Sequence, residues 1–70
     1  MEKGMAIEIH GSIINLNQVV AIEKVQAAVY GNGWELHFIS AHNVRLVKSW
    51  STEQNREEYY EEILRRYDNL

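Results

Sequence analysis

The chain of 70 residues contains no cysteine and no proline, and only four of its residues are glycine. Without cysteine there is no disulfide, no thiolate metal site and no cysteine nucleophile. No stretch approaches the roughly 20 apolar residues of a membrane-spanning helix, and no apolar run of signal-peptide length follows the N-terminus. We therefore expect a soluble protein of the cytoplasm.

The length allows one domain, spanning residues 1–70. A chain of this size buries only about 60% of its unfolded surface, so its stability is marginal without help. Disulfides, metals and self-association are the usual forms of help. Because cysteine is missing, self-association is favoured, and we expect a homo-oligomer.

The net charge of −3 is unevenly distributed. Residues 1–50 hold four acidic and four basic residues, whereas residues 51–70 hold six acidic residues and three arginines. Clustered Lys and Arg supply most of the affinity for nucleic acid, through counterion release. Nucleic acid is therefore an unlikely partner.

The first half of the chain has β-patterned segments separated by turn residues. Ala6 to His10 alternates apolar and polar residues, which predicts a half-buried strand, and Gly11-Ser12 predicts a turn before a second strand. The amides of residues 15–18 favour another turn. Residues 19–30 are rich in β-branched side chains, but their imperfect alternation predicts a bulge near Glu23-Lys24.

The second half of the β region predicts two hairpins. Gly31-Asn32-Gly33 tolerates the positive φ of a tight turn, and Ala41-His42-Asn43 predicts a second turn, between strands 34–40 and 44–50. A three-residue turn pairs Ser40 with Val44 and separates two faces. The core face then carries Trp34, Leu36, Phe38, Val44, Leu46 and Trp50; the outer face carries Glu35, His37, Ile39, Arg45, Val47 and Ser49.

The last 20 residues have the pattern of an amphipathic helix, over about 52–67. Ser51 with Gln54 fits a capping box at its start. The apolar stripe consists of Tyr60, Ile63, Leu64 and Tyr67, and the predicted surface pairs are Glu61–Arg65 and Glu62–Arg66. The predicted fold class is α+β: a small antiparallel β-sheet of four or five strands, over about 6–50, with this helix packed on one face.

Residues 14–23 carry the pattern I-N-L-x-x-V-x-x-I-E. The pattern resembles that of short, uncharacterised bacterial and phage proteins, and the order of elements resembles the small flagellar regulatory protein FlbD and half of a pleckstrin-homology-like sheet. This resemblance implies a non-enzymatic role and brings no catalytic residues. The chain departs from the pattern in its longer strand through residues 26–30.

No catalytic or metal constellation is visible in the sequence. His10, His37 and His42 lack a recognised zinc spacing and are expected on the surface. The glutamates of the helix, Glu57, Glu58, Glu61 and Glu62, are expected to lie opposite the apolar stripe, in solvent. Trp34 and Trp50, if stacked across strands, would close the core beneath the helix. We predict no enzyme, no cofactor and no metal.

The outer face remains without a cover in a domain with one helix, and contiguous exposed apolar patches mark interaction sites. We therefore predict a non-enzymatic, homo-oligomeric protein-interaction module, of phage or mobile-element origin, that binds through this face or the long hairpin. The expected contacts are Tyr30, His37, Ile39, Arg45 and Val47. The proline-free strand of residues 19–30 also predicts an unprotected edge.

Two alternatives stay open. The protein could sequester a small anionic, nucleotide-like ligand between subunits, held by Arg45, Lys48 and an aromatic ring. It could instead be a regulatory protein that acts through a protein partner, since the acidic helix disfavours direct DNA contact.

Overall fold

The computed structural model describes residues 5–27 and 33–68, which form five strands and one helix. The strands are β1 (Ala6–Ile9), β2 (Ser12–Asn15), β3 (Val19–Gln26), β4 (Trp34–Ser40) and β5 (Arg45–Trp50), and the helix is α1 (Glu53–Asp68). The predicted α+β class is therefore confirmed. Among these residues no helix is both long enough and apolar enough to cross a membrane.

The strands form two antiparallel sheets instead of the single sheet expected. One sheet is the hairpin of β1 and β2, and the other has the order β3-β4-β5. A single 3-10 turn, Leu16–Gln18, separates them, and the Asn15 side chain accepts a hydrogen bond from the Asn17 N–H (3.0 Å). The amides thus end β2 by satisfying the backbone locally, as their sequence predicted.

The two shorter hairpin turns obey local backbone chemistry. The first turn lies at His10-Gly11 and not at Gly11-Ser12, because Ser12 already pairs with Ile9. Both turn residues have positive φ, 51° and 85°, as a type I′ turn requires. Between β4 and β5, Asn43 takes φ 63°, and the Asn43 N–H donates to the Ser40 carbonyl (2.9 Å).

The predicted register of β4 and β5 is confirmed, with Trp34 opposite Trp50 and Phe38 opposite Leu46. The bulge in β3 lies between Val19 and Ala21, so its prediction at Glu23-Lys24 was wrong. At the other end of this hairpin, the Ala27 N–H donates to the Gly33 carbonyl (2.7 Å). The predicted strand extension to Tyr30 and the turn residues Gly31-Asn32 lie outside the described residues.

The core lies between the three-stranded sheet and a layer made of α1 and the β1–β2 hairpin. Its buried members are Met5, Ile7, Ile9, Ile14, Leu16, Leu36, Phe38, Trp50 and Ile63. Two residues predicted for the core face, Val44 and Leu46, are 64% and 41% exposed. They line an open groove of about 220 Å³ with Ile13 and Ile14, because the covering layer leaves this end of the sheet open.

The helix begins one residue later than the predicted capping box requires. Thr52 Oγ1, not the Ser51 side chain, accepts the hydrogen bond from the Asn55 N–H (3.2 Å). Capping by Thr52 satisfies one of the free N–H groups of the first turn.

The buried side of α1 is rotated from the predicted stripe. Arg56 and Ile63 are buried and Leu64 is 39% exposed, while Tyr59 joins Tyr60 and Tyr67 against the core. Spacings of three and four residues around Ile63 place these side chains on one helix face.

The predicted pair Glu62–Arg66 forms (3.0 Å), but Arg65 pairs with Glu62 instead of Glu61. Arg66 Nη1 also donates to the Ala6 carbonyl (2.7 Å), which ties α1 to β1. The Glu62 carboxylate thus accepts hydrogen bonds from two guanidinium groups, on the side of α1 that faces the β1–β2 hairpin.

Candidate functional site

The face of the three-stranded sheet that points away from α1 is the candidate site. We call it the outer face, and the register assigns it nine side chains: Ala21, Glu23, Val25, Glu35, His37, Ile39, Arg45, Val47 and Ser49. None of them is fully buried, and none of the other described elements packs on them. The outer face therefore remains open, as the sequence predicted.

The central strand β4 brings polar and apolar side chains together in adjacent rows. His37 lies between Glu23 of β3 and Val47 of β5. Ile39 lies in the next row, between Ala21 and Arg45. Neighbouring side chains in such rows lie about 5 Å apart, close enough to interact directly.

A chain of hydrogen bonds links the charged groups of the outer face. Arg45 Nη1 donates to Glu23 Oε1 (3.0 Å) and to His37 Nδ1 (3.0 Å). His37 Nε2 donates to Glu35 Oε1 (2.8 Å). Because a guanidinium can only donate, Nδ1 must be the acceptor, and this network assigns neutral His37 a proton on Nε2.

Arg45 has hydrogen-bond partners in this network, and the outer face carries little net charge. Two carboxylates, one guanidinium and a neutral imidazole sum to −1. Arg45 Nη1 already donates to Glu23 and His37, so an anion that approached this guanidinium would lie beside the Glu23 carboxylate.

The structure brings four of the six predicted contact residues together and separates another from them. His37, Ile39, Arg45 and Val47 share the outer face. Lys48 lies on the opposite face, where its Nζ donates to Ser12 Oγ (2.9 Å), because successive strand residues alternate between faces. Arg45 and Lys48 of one chain therefore cannot hold the same anion, and the sixth contact, Tyr30, lies outside the described residues.

Arg56 is a buried cation that the sequence interpretation missed. It is 6% exposed, and its guanidinium carbon lies 5.1 Å from the centre of the Trp34 ring. Nη1 donates to the Val25 carbonyl (3.2 Å), and Nε and Nη2 donate to Glu57 Oε2 (3.1 and 2.9 Å). The sequence signal for its burial was its position four residues before Tyr60, because that position extends the apolar stripe by one helical turn.

The two tryptophans pair in register but have different ring neighbours. The Trp50 ring packs against His10 (5.2 Å between centroids) and Tyr59 (5.1 Å), whereas the Arg56 guanidinium lies over the Trp34 ring. His10 Nε2 also hydrogen-bonds the Ser49 carbonyl (3.1 Å). Trp50 Nε1 is buried without a hydrogen-bond partner in the described part of the chain. Both rings thus contact side chains on the buried face of α1, Tyr59 for Trp50 and Arg56 for Trp34.

The glutamates of α1 are not all solvated, contrary to the sequence interpretation. Glu57 is about one-third exposed and lies 3.3 Å from Lys24 Nζ. Hydrogen bonding to Arg56 is the main cause that lowers the pKa of Glu57 below its ordinary value, and Lys24 adds to it. Within residues 5–27 and 33–68, no group of three or more His, Asp or Glu side chains is arranged to hold a metal ion.

Comparison of the chain with protein families, with curated proteins and with solved structures finds no match. The resemblance carried by residues 14–23 therefore stays a prediction.

Proposed function

We propose that this protein is a non-enzymatic, homo-oligomeric interaction module that binds a second copy of itself through the outer face. The observation that carries the proposal is the hydrogen-bonded chain of Glu23, Arg45, His37 and Glu35. The polar groups of this face already satisfy each other. Covering them therefore leaves each charged group with a hydrogen-bond partner and only one negative charge in excess, whereas a charge without a partner is the most costly outcome of burying an ionic group.

The composition of the face supports self-association. Ile39, Val25 and Ala21 supply apolar area, and Val47 is 43% exposed. Both signs of charge occur on the same surface, so two copies related by a two-fold axis can place unlike charges opposite each other. A non-obligate interface has this mixed composition and not a purely apolar one.

Self-association would also increase the stability of the fold, which is expected to be marginal in a domain this small. Any partner that binds only the folded state stabilises it by mass action. A second copy does so whenever the protein is concentrated enough to pair. The melting temperature should therefore rise with protein concentration.

The other two candidate functions receive less support. Sequestering an anionic ligand between subunits would place that ligand beside the Glu23 carboxylate, which already accepts from Arg45, and a thermal-shift screen with nucleotides tests this function directly. A regulatory role through a protein partner would use the same open face, occupied by a different chain.

The experiment compares two valine substitutions on the β4–β5 hairpin. Val47→Lys places a charge on the outer face, and Val44→Lys makes the same change on the opposite face, in the groove with Ile13. Both valines are largely exposed, so neither change should unfold the monomer. We expect Val47→Lys to reduce the native mass to that of a monomer, and Val44→Lys to leave the oligomer intact.

Native mass spectrometry at physiological salt reads out the assembly, and circular dichroism checks the fold of each variant. A wild-type protein that stays monomeric at high concentration contradicts the proposal. Dissociation by Val44→Lys with no effect of Val47→Lys would assign the interface to the groove with Ile13 and overturn the assignment to the outer face.

A further inference from the structure

The free edge of β3 carries an unused row of backbone hydrogen-bonding groups. The Ala27 N–H bonds the Gly33 carbonyl, and the register continues from Gln26 opposite Trp34 to Glu23 opposite His37. Because hydrogen-bonded pairs alternate along an antiparallel ladder, the odd-numbered residues of this stretch bond β4. The N–H and C=O groups of Ile22, Lys24 and Gln26 therefore point to the open side.

No described strand occupies this edge, because β3 is the last strand of its sheet. Natural proteins protect such edges with proline, bulges or inward-pointing charges. Here the chain has no proline, the bulge at Val20 lies at one end of the strand, and the one charge that this stretch turns toward α1, Lys24, is paired with Glu57. The stretch from Ile22 to Gln26 remains regular and available for pairing.

An apolar groove of about 320 Å³ runs between this strand and α1. Val20 and Ile22 line one side of it, and Tyr60 and Leu64 line the other. Val20 is 67% exposed and Leu64 is 39% exposed. A strand added beside β3 would place alternate side chains in this groove.

The flank of α1 that faces β3 is acidic. Glu57 contacts Lys24 (3.3 Å), which fixes the side of the helix concerned. Glu53, Glu61 and Asp68 lie on that same side by their spacing of four, four and eleven residues from Glu57, and all three are exposed.

The basic residues of the helix neutralise only one member of this flank. Arg56 pairs with Glu57 (2.9 Å), whereas Arg66 reaches the Ala6 carbonyl on the other side of the helix. Arg65 pairs with Glu62. Lys24 also pairs with the Glu57 carboxylate, so Glu53, Glu61 and Asp68 are left without an ion pair among the described residues.

We infer that the β3 edge and this groove take an extended peptide segment of a partner protein, rich in apolar and basic residues. Only an extended main chain offers donors and acceptors at the spacing of a strand edge, and strand addition is a recurring mode of peptide recognition. Apolar side chains of that segment fill the groove, and its Lys or Arg residues meet the acidic flank. A second copy fits this site less well, because pairing two β3 edges about a two-fold axis would bring their acidic flanks together.

Fluorescence anisotropy with a short capped peptide of Val-Arg-Val repeats tests the inference at low salt. We expect saturable binding, and no binding of the same peptide with Glu in place of Arg. Methylating alternate backbone nitrogens removes the donors that face β3, and should weaken binding by about fivefold or more, the effect of one lost hydrogen bond. Equal binding of the methylated peptide would overturn strand addition.

Two matched charge reversals test the acidic flank. Glu61→Lys changes the flank that faces β3, whereas Glu8→Lys makes the same change in net charge on β1, beside the opposite side of the helix. We expect Glu61→Lys to weaken peptide binding by about threefold or more, and Glu8→Lys to leave it near the wild-type value. Equal effects of the two substitutions would reject the flank as the recognition element.

Gln26→Pro removes one outward N–H from the edge without breaking a bond to β4. It should weaken peptide binding by about fivefold, and circular dichroism verifies that the fold is kept. A loss of the oligomer in Gln26→Pro would show that a second copy occupies the edge, and would overturn the inference. The outer-face variant Val47→Lys should bind the peptide normally, so failure of one proposal is distinguishable from failure of the other.

Discussion

Replacing the buried Arg56 with methionine is expected to destabilise the protein by about 2 kcal/mol. Methionine keeps most of the side-chain volume and stays apolar beneath α1, so the substitution removes the polar interactions and leaves little cavity. Arg56 is 6% exposed and holds Trp34, Val25 and Glu57 together. The site thus links the start of the helix to both strands of the β3–β4 hairpin.

The magnitude follows from the three interactions that disappear. A hydrogen bond from a charged donor to the Val25 carbonyl contributes about 1.5–3 kcal/mol, and the contact with the Trp34 ring contributes about 1 kcal/mol. The pair with Glu57 adds only about 0.5 kcal/mol, because that carboxylate is one-third exposed and screened by solvent. Removing the desolvation cost of the guanidinium offsets part of this sum, which leaves about 2 kcal/mol.

Such a loss is large for this chain. A domain of 70 residues has a total free energy of unfolding of about 4–10 kcal/mol. A change of 2 kcal/mol should lower the melting temperature by about 8–16 °C. Urea unfolding followed by circular dichroism gives the free energy, and the thermal scan gives the shift in Tm.

Arg65→Met is the matched control, because Arg65 lies on the same helix and is largely exposed. Its effect should stay within about 0.5 kcal/mol. If Arg56→Met proves as stable as the wild type under the same conditions, the buried guanidinium makes no net contribution and the reasoning is refuted.

Two further predictions concern the first turns of α1. The pKa of Glu57 is lowered in the folded state, so its charge stabilises the fold above the ordinary carboxyl pKa of 4.5, and this stability is lost as the pH falls through the lower, folded-state pKa. The urea midpoint should therefore fall less steeply between neutral and acidic pH in Glu57→Gln than in the wild type. Parallel curves of urea midpoint against pH would contradict this. Thr52→Ala should cost about 1 kcal/mol through the lost cap, whereas Ser51→Ala should cost little; equal costs in thermal unfolding would show that the hydrogen bond to Asn55 is not the cap.

Local sequence chemistry predicted much of the secondary structure. The turn at 41–43 fixed the pairing of β4 with β5, because Asn43 tolerates a positive φ and each turn length permits one register. Alternation then placed His37, Ile39, Arg45 and Val47 on one face, since side chains along a strand point to alternate sides. These features depend on residues close together in the chain, which is why a pattern revealed them.

The sequence did not predict which side chains of the outer face hydrogen-bond each other, because these bonds join different strands. No spacing rule indicates that Arg45 reaches across β4 to Glu23 and also donates to His37. The sequence also did not predict that one end of the core face is open. Val44 and Leu46 have the spacing of buried residues, but no other described element covers them. Periodicity assigns a side chain to a face, but the packing of other elements decides whether that face is covered.

The sequence by itself determined the α+β class, the β4–β5 register, the helix and the side chains that β4 and β5 place on the outer face, because turn geometry and residue periodicity act over a few residues. Only the tertiary structure decided that the strands divide into two sheets and that Arg56 is buried over Trp34. The unprotected edge of β3 was predicted from the sequence, but only the tertiary structure placed an acidic helix flank beside it. Those outcomes depend on how distant elements pack, and burial of a charge is decided by the partners that packing supplies.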